Sequence, residues 1–173
     1  EDVEKIVASA GEDSPVRLFL RAHGIPKNEE ERLRKMEEEN KFFKCVDCTC
    51  PYVKKIHKIA SECSSDDNIF ILMGSESHRE VIGIMSYFDG EKYVFDSKEN
   101  FELAVKNGSL VNLHKKTPVL AAQTTFNLLE WEKTLKFIKN LCTNPIIFDT
   151  ICSVTEKRQQ EAARLSRECD MMV

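Results

Sequence analysis

The stretch FFKCVDCTCPYVKKIHKIASEC, residues 42–63, decides the fold class. Phe42 to Asp47 is an apolar run of strand length, and Cys48-Thr49-Cys50-Pro51 interrupts it. Beyond Pro51 the apolar positions change period. Val53, Ile56, Ile59, Ala60 and Cys63 recur at spacings of three and four, which place them on one face of a helix. The same unit of apolar run, polar or small junction and helix recurs along the chain. Upstream, Val16 to Ala22 leads into His23-Gly24-Ile25-Pro26 and a charged helix, Asn28 to Asn40, with only Leu33 and Met36 apolar. Downstream, Asn68 to Met73 is broken by Gly74-Ser75, and a helix starts at Ser77 and runs toward Tyr87. Tyr93 to Phe95 reads as a short strand, and Ser97 caps a helix that ends at Asn107-Gly108. Val119 to Ala122 precedes Gln123-Thr124-Thr125 and a helix with Leu128, Trp131, Leu135, Ile138 and Cys142 on one face. Ile146 to Phe148 precedes Asp149-Thr150-Ile151-Cys152 and a last helix, Ser153 to Glu168, and Met171 to Val173 reads as the start of one more strand. Strands alternating with helices imply an α/β fold of parallel sheets with helices on both faces.

Composition narrows the function classes. The chain has 173 residues, 25 basic against 29 acidic, for a net charge of −4, which argues against a nucleic-acid arm or a polybasic membrane surface. No apolar run approaches a membrane span, and no basic segment followed by an apolar one opens the chain as a signal peptide would. The start at Glu1 and the strand-like Asp170-Met171-Met172-Val173 terminus suggest a fragment of a longer protein. The seven cysteines are an odd set without secretory features, so metal ligands or free thiols are expected rather than a disulfide framework.

Ligands of parallel sheets sit at the carboxyl ends of strands, near helix N-termini. Four junctions there hold His23, Cys50, Thr124 and Cys152. Pro51 marks a helix start, which makes Cys50 an N-cap, a position whose partial positive charge suits a sulfur ligand. A small buried residue is the competing reading. Ser153 with Glu156 fits a capping box, so Ser153 is the expected N-cap and Cys152 lies one residue before it. Two cysteines at equivalent junctions about 100 residues apart suit an iron–sulfur cluster held between lobes better than a zinc ribbon. Cys45 and Cys48 read as structural, since an extended strand points them to opposite sides; Cys63, Cys142 and Cys169 read as core. Ser77 with Glu80 also fits a capping box, which would account for Glu80. Alternatively His78, with Glu80 two residues on, suits phosphate binding and proton transfer. His57 and His114 have no constellation around them. No nucleotide-binding glycine motif and no nucleophile elbow occurs.

Five motifs taken in order carry a resemblance across nearly the whole chain. They are Arg21-Ala22-His23-Gly24, Asp47-Cys48-Thr49-Cys50-Pro51, Ser77-His78-Arg79-Glu80-Val81, Gln123-Thr124-Thr125 and Ile151-Cys152-Ser153-Val154-Thr155-Glu156-Lys157-Arg158-Gln159. The sequence resembles the IspH/LytB family, 4-hydroxy-3-methylbut-2-enyl diphosphate reductase of the non-mevalonate isoprenoid pathway. That resemblance implies three α/β lobes around a 4Fe-4S cluster. Residues 1–48 would end the first lobe, 49–148 form the second and 149–173 begin the third. It implies Cys50 and Cys152 as cluster ligands, with a third cysteine upstream of Glu1. It implies His23 and His78 as diphosphate ligands, Glu80 as the proton-delivering acid and Thr124 as the hydroxyl that positions the substrate oxygen and relays protons. Thr155 and Arg158 match the last motif. The implied reaction is reductive dehydroxylation to isopentenyl and dimethylallyl diphosphate, in the cytoplasm, with electrons from a ferredoxin or flavodoxin. A fragment lacking the upstream cysteine would be inactive alone. Two positions depart from the family, Cys48 for the usual Ala and Arg79 for the usual Pro. The rival reading from the residues is a non-catalytic metal or iron–sulfur module on Cys45, Cys48 and Cys50.

Overall fold

The structure, a computed structural model, describes residues 2–172. Among the described residues all strand pairs are parallel, and they form two sheets. In the first, β1 (Val16–Leu20) pairs with β2 (Phe43–Asp47), in register Val16 with Phe43 through Leu20 with Asp47. Two helices cover it, α1 (Asp2–Ala8) and α2 (Lys27–Glu39). Their contribution to the core is small: Val7 from α1 and Leu33 from α2 join Leu20 and Phe43. Met36 packs partly against this core, and most of the remaining α2 is charged and faces water, as its composition indicates. Helix α1 lies outside the repeating strand–junction–helix pattern, and only Val3 and Val7 tie it to this core.

Four strands make the second sheet, in order β4-β3-β5-β6. These are β3 (Asn68–Met73), β4 (Lys92–Phe95), β5 (Thr117–Ala122) and β6 (Ile146–Ile147). Strand β3 is apolar on both faces because both are covered. Ile69, Ile71 and Met73 join a core with Phe101 of α5 (Lys98–Lys106) and Trp131 and Ile138 of α6 (Leu128–Leu141). Phe70 and Leu72 point to the other face, against Ile56 and Ala60 of α3 (Pro51–Glu62) and Val81 and Ile84 of α4 (Arg79–Met85). Ser97 caps α5 through the Asn100 N–H, and Gly108 after its end takes φ +77, which favours glycine. Pro118 is tolerated in β5 because β6 pairs only with Val119 and Leu120. Beyond β6, Thr150 Oγ1 accepts from the Ala122 N–H at 2.9 Å and donates to the Ala122 carbonyl at 2.5 Å, standing in for a further ladder pair.

The chain leaves β3 for β4 on one side and later returns to β5 on the other. The crevice between the carboxyl ends of β3 and β5 is therefore a topological switch point. The last helix, α7 (Ser153–Leu165), buries no residue. Two expectations fail at this end of the chain. Cys169 is exposed, because it follows a helix none of whose residues is buried among the described residues. Met171 and Met172 form no strand, since no ladder reaches them; Val173 lies outside the described residues.

Candidate active site

Each junction after a strand is held by one backbone bond that extends the ladder. The Cys50 N–H donates to the Ala22 carbonyl at 2.9 Å, the Gln123 N–H to Met73 at 2.8 Å and the Cys152 N–H to Thr124 at 2.9 Å. The strands thus fix the junction backbones, so that their side chains can make other contacts across the crevice.

At the switch point the junctions after β3 and β5 meet through a carboxylate. Glu80, in the first turn of α4 and 2% exposed, accepts the Thr124 N–H on Oε1 at 2.7 Å and the Thr124 hydroxyl on Oε2 at 2.8 Å. The capping-box expectation for Glu80 is overturned. His78 is the N-cap, and its Nδ1 accepts the Glu80 N–H at 3.2 Å. With the cap supplied by an imidazole, the carboxylate is free to reach 44 residues along the chain. Thr124 is itself 6% exposed. Gln123 braces the same crevice: its Oε1 accepts the Ser75 N–H at 3.2 Å and its Nε2 donates to Thr125 at 3.0 Å.

His23 and His78 stand edge to face, with ring centroids 5.5 Å apart. They line a shallow cavity of about 340 Å³ with Ser75, Ser77 and Arg79. Two imidazoles, two hydroxyls and a guanidinium offer donors from several directions, a lining suited to an anion.

Cys50 and Cys152 occupy equivalent positions. Each is an N-cap in extended backbone, each is half-buried, and neither side chain makes a capping hydrogen bond. This corrects the expected Ser153 cap: helical geometry begins at Ser153, so Cys152 is the residue that flanks it. The starts of α3 and α7 meet where the Tyr52 and Ser153 hydroxyls lie 3.2 Å apart. Gln159 ties α7 down further, accepting the Leu128 N–H and donating to the Phe126 carbonyl, both at 2.9 Å. All seven cysteines are free, and the described residues hold no group of three potential ligands. Cys45 packs against the first core while Cys48 is exposed, so the local Cys45–Cys48–Cys50 module does not come together. Burial pushes the thiols of Cys45, Cys63 and Cys142 up, in keeping with packing roles.

Asp47 fixes the approach to Cys50. Its carboxylate accepts the Thr49 N–H at 2.9 Å and pairs with Lys54 at 2.5 Å. Burial opposes the charge, but those bonds outweigh it and bring Asp47 down to about 2. His57 was not expected at the site, yet it is buried directly behind the His23-Gly24 turn and stacks on Tyr87. Its place one position off the apolar stripe of α3 was the available signal. Burial pulls it down to about 4.

These features define a class: a parallel-sheet α/β protein with a carboxylate–hydroxyl pair and a histidine-lined cavity at the sheet's switch point. The family model for LytB protein matches residues 1–173, and the chain belongs to that family. It is 33% identical over 172 residues to 4-hydroxy-3-methylbut-2-enyl diphosphate reductase of Caldanaerobacter subterraneus subsp. tengcongensis, covering 99% of this chain and 53% of the relative. The Helicobacter pylori enzyme of that name is 35% identical over 156 residues, covering 90% of this chain and 52% of its own. The chain thus spans about half the length of the curated relatives it matches. A solved structure of (E)-4-hydroxy-3-methyl-but-2-enyl diphosphate reductase, the terminal enzyme of the non-mevalonate pathway, superposes with TM-score 0.66 at 28% identity, over 98% of this chain and 59% of its own. The Plasmodium falciparum reductase superposes with TM-score 0.69 at 24% identity, over 89% of this chain and 46% of its own, and supports the fold alone.

Proposed function

We propose that the full-length protein reductively dehydroxylates 4-hydroxy-3-methylbut-2-enyl diphosphate to isopentenyl and dimethylallyl diphosphate. The observation that carries this reading is the buried Glu80–Thr124 pair beside the His23–His78 cavity, at the switch point of a LytB-family sheet. In this reading His23 and His78 bind the diphosphate, with Arg79 adding a cation beside them. Thr124 holds the substrate hydroxyl through Oγ1. Once protonated, Glu80 supplies one proton: it protonates Oγ1 as Thr124 passes its own hydrogen to the departing oxygen, so the hydroxyl leaves as water. A second proton, from solvent, ends on the allylic carbon that the two electrons reduce.

Two free cysteines at helix N-caps, with no competing cap bonds, are a fitting donor pair for a soft metal centre. Cys50 and Cys152 would hold a 4Fe-4S cluster together with a third cysteine contributed from outside this stretch. When bound, that cluster supplies the two electrons of the dehydroxylation. A ferredoxin or flavodoxin in the cytoplasm is the proposed donor, and no helix among the described residues is long and apolar enough to cross a membrane. Residues 1–48, 49–148 and 149–173 are proposed as parts of successive lobes. The stretch described here is proposed to be inactive by itself.

The test is iron and acid-labile sulfide per chain in anaerobically purified full-length protein, with Cys50→Ser and Cys152→Ser alongside. The expected result is a cluster in the parent and its loss in both variants. Iron retained in both variants, or zinc alone in the parent, overturns the reading.

A further inference from the structure

His57 is 8% exposed, and its Nε2 has neither solvent nor a hydrogen-bond partner. Such an atom is costly, about 1–3 kcal/mol, so its ring must be held by shape. What surrounds it is specific. One face stacks on Tyr87 with centroids 4.3 Å apart and planes 18° apart. The ring edge meets the backbone of Gly24 so closely that a Cβ there would lie 2.6 Å from Cε1. A Cβ on Gly83 would already stand 3.5 Å from Nε2. Gly24 follows His23, while Gly83 lies in α4, the helix that His78 caps. Both elements bearing the cavity histidines therefore present a glycine to one imidazole, which is carried by the helix that Cys50 caps. Around this contact, the Lys27 N–H donates to Ser86 Oγ at 2.8 Å and the Tyr87 hydroxyl donates to Glu30 of α2. These bonds close the seam that His57 fills.

We propose that His57 is a positioning residue: its ring is the spacer that sets the separation of His23 from His78, and so the bite of the anion cavity. The proposal rests on the reading that these two histidines bind diphosphate. It requires ring shape at position 57 and a bare Cα at position 24. Removing the ring lets the His23-Gly24 turn move toward α3. Adding a methyl at Gly24 forces the same turn outward, and φ +74 strains it as well.

The experiment uses full-length protein with iron content as the check on folding. It measures the Kd for inorganic pyrophosphate, together with KM and kcat for the diphosphate substrate. His57→Ala is expected to raise pyrophosphate Kd and KM about tenfold or more, with kcat per iron nearly unchanged. His57→Phe, which keeps a flat ring against Tyr87, is expected to restore most of that binding. Gly24→Ala is expected to weaken binding too, and the double variant to lose less than the two single losses combined. Unchanged Kd and KM in His57→Ala, or a fall in iron and kcat with KM unchanged, overturns the proposal. If His57→Ala yields no folded protein, unchanged pyrophosphate binding in Gly24→Ala overturns it. Failure of the underlying reading shows differently: the parent then binds no pyrophosphate, or His23→Asn binds it as well as the parent.

Discussion

Replacing Glu80 separates what its carboxylate does for stability from what it does for chemistry. It sits almost without solvent and receives two donors from one residue, the Thr124 N–H and hydroxyl. In Glu80→Gln the volume is kept and one carbonyl oxygen still accepts the N–H. The amide nitrogen cannot accept the hydroxyl hydrogen, so Thr124 must turn its proton away and accept instead. Hydrogen bonds to a carboxylate contribute about 1.5–3 kcal/mol and neutral ones about 0.5–1.5, so with both bonds weakened this variant loses about 2–3 kcal/mol. Glu80→Ala loses both bonds and leaves a buried N–H unpaired, for about 3–5 kcal/mol. Urea unfolding followed by circular dichroism reads both numbers. Turnover responds in another proportion. A positioned proton donor contributes about 10²–10⁴-fold, so full-length Glu80→Gln should fold, keep its iron and lose kcat by that factor. A Gln variant whose kcat stays within about threefold of the parent would refute the proton role. An Ala variant as stable as the parent would refute the buried contact itself.

Three further outcomes are expected. Burial lowers the folded-state value of His57 from 6.5 to about 4, against partial opposition from Glu30 and Asp47, while Lys54 adds to the lowering. The unfolded chain therefore binds the extra proton first, and stability should fall as pH drops from about 6.5 to 4, by up to about 3 kcal/mol. His57→Phe should abolish that slope in urea titrations run across this pH range; an unchanged slope counts against the burial argument. Thr150→Val keeps shape but strands the N–H and carbonyl of Ala122, so chemical denaturation should show a loss of about 2–4 kcal/mol. For Asp47 the lowered value means its contribution is present above pH 3.8 and fades as pH falls through about 2. Because that side chain is 40% exposed, screening discounts the effect: Asp47→Asn should cost under about 1 kcal/mol at pH 7, and the difference from the parent should shrink below pH 4.

What the sequence discloses follows the range of the forces involved. Strands β2, β3 and β5 are legible because their apolar runs are long and the helices behind them keep a three–four spacing. Cys50 is legible as an N-cap because Pro51 fixes the helix start locally. Glu80 shows the limit. Ser77 and Glu80 have the spacing of a cap, yet the carboxylate is taken by Thr124, and no local pattern distinguishes a side chain that turns back from one that crosses a sheet. The Ser153–Glu156 pattern misleads by one residue for the same reason, since a cap motif names a pair without fixing which residue flanks the helix. His57 is barely legible, marked only by its place beside the apolar stripe of α3, because its burial comes from Gly24 and from Gly83 and Tyr87, two segments distant from it in sequence. Helix α1 escapes because only two of its residues reach the core.

The arrangement explains how a small parallel sheet positions reactive groups on loops. Loops are usually the mobile part of an α/β fold. Here the junctions extend the ladders by one bond each, from Cys50 to Ala22, Gln123 to Met73 and Cys152 to Thr124. Thr124 carries the most of this traffic. Its carbonyl receives Cys152, its N–H and hydroxyl both end on Glu80, and Gln123 before it receives Ser75. A displacement of Thr124 would therefore move the proposed acid, the proposed hydroxyl and one proposed cluster ligand together. Substitutions at these positions should couple strongly in double-mutant cycles, by about 0.5–3 kcal/mol for contacting residues. Glu80→Gln and Thr124→Val should accordingly be far from additive, whereas Glu80→Gln and Thr150→Val, which share no hydrogen-bond partner, should come closer to adding.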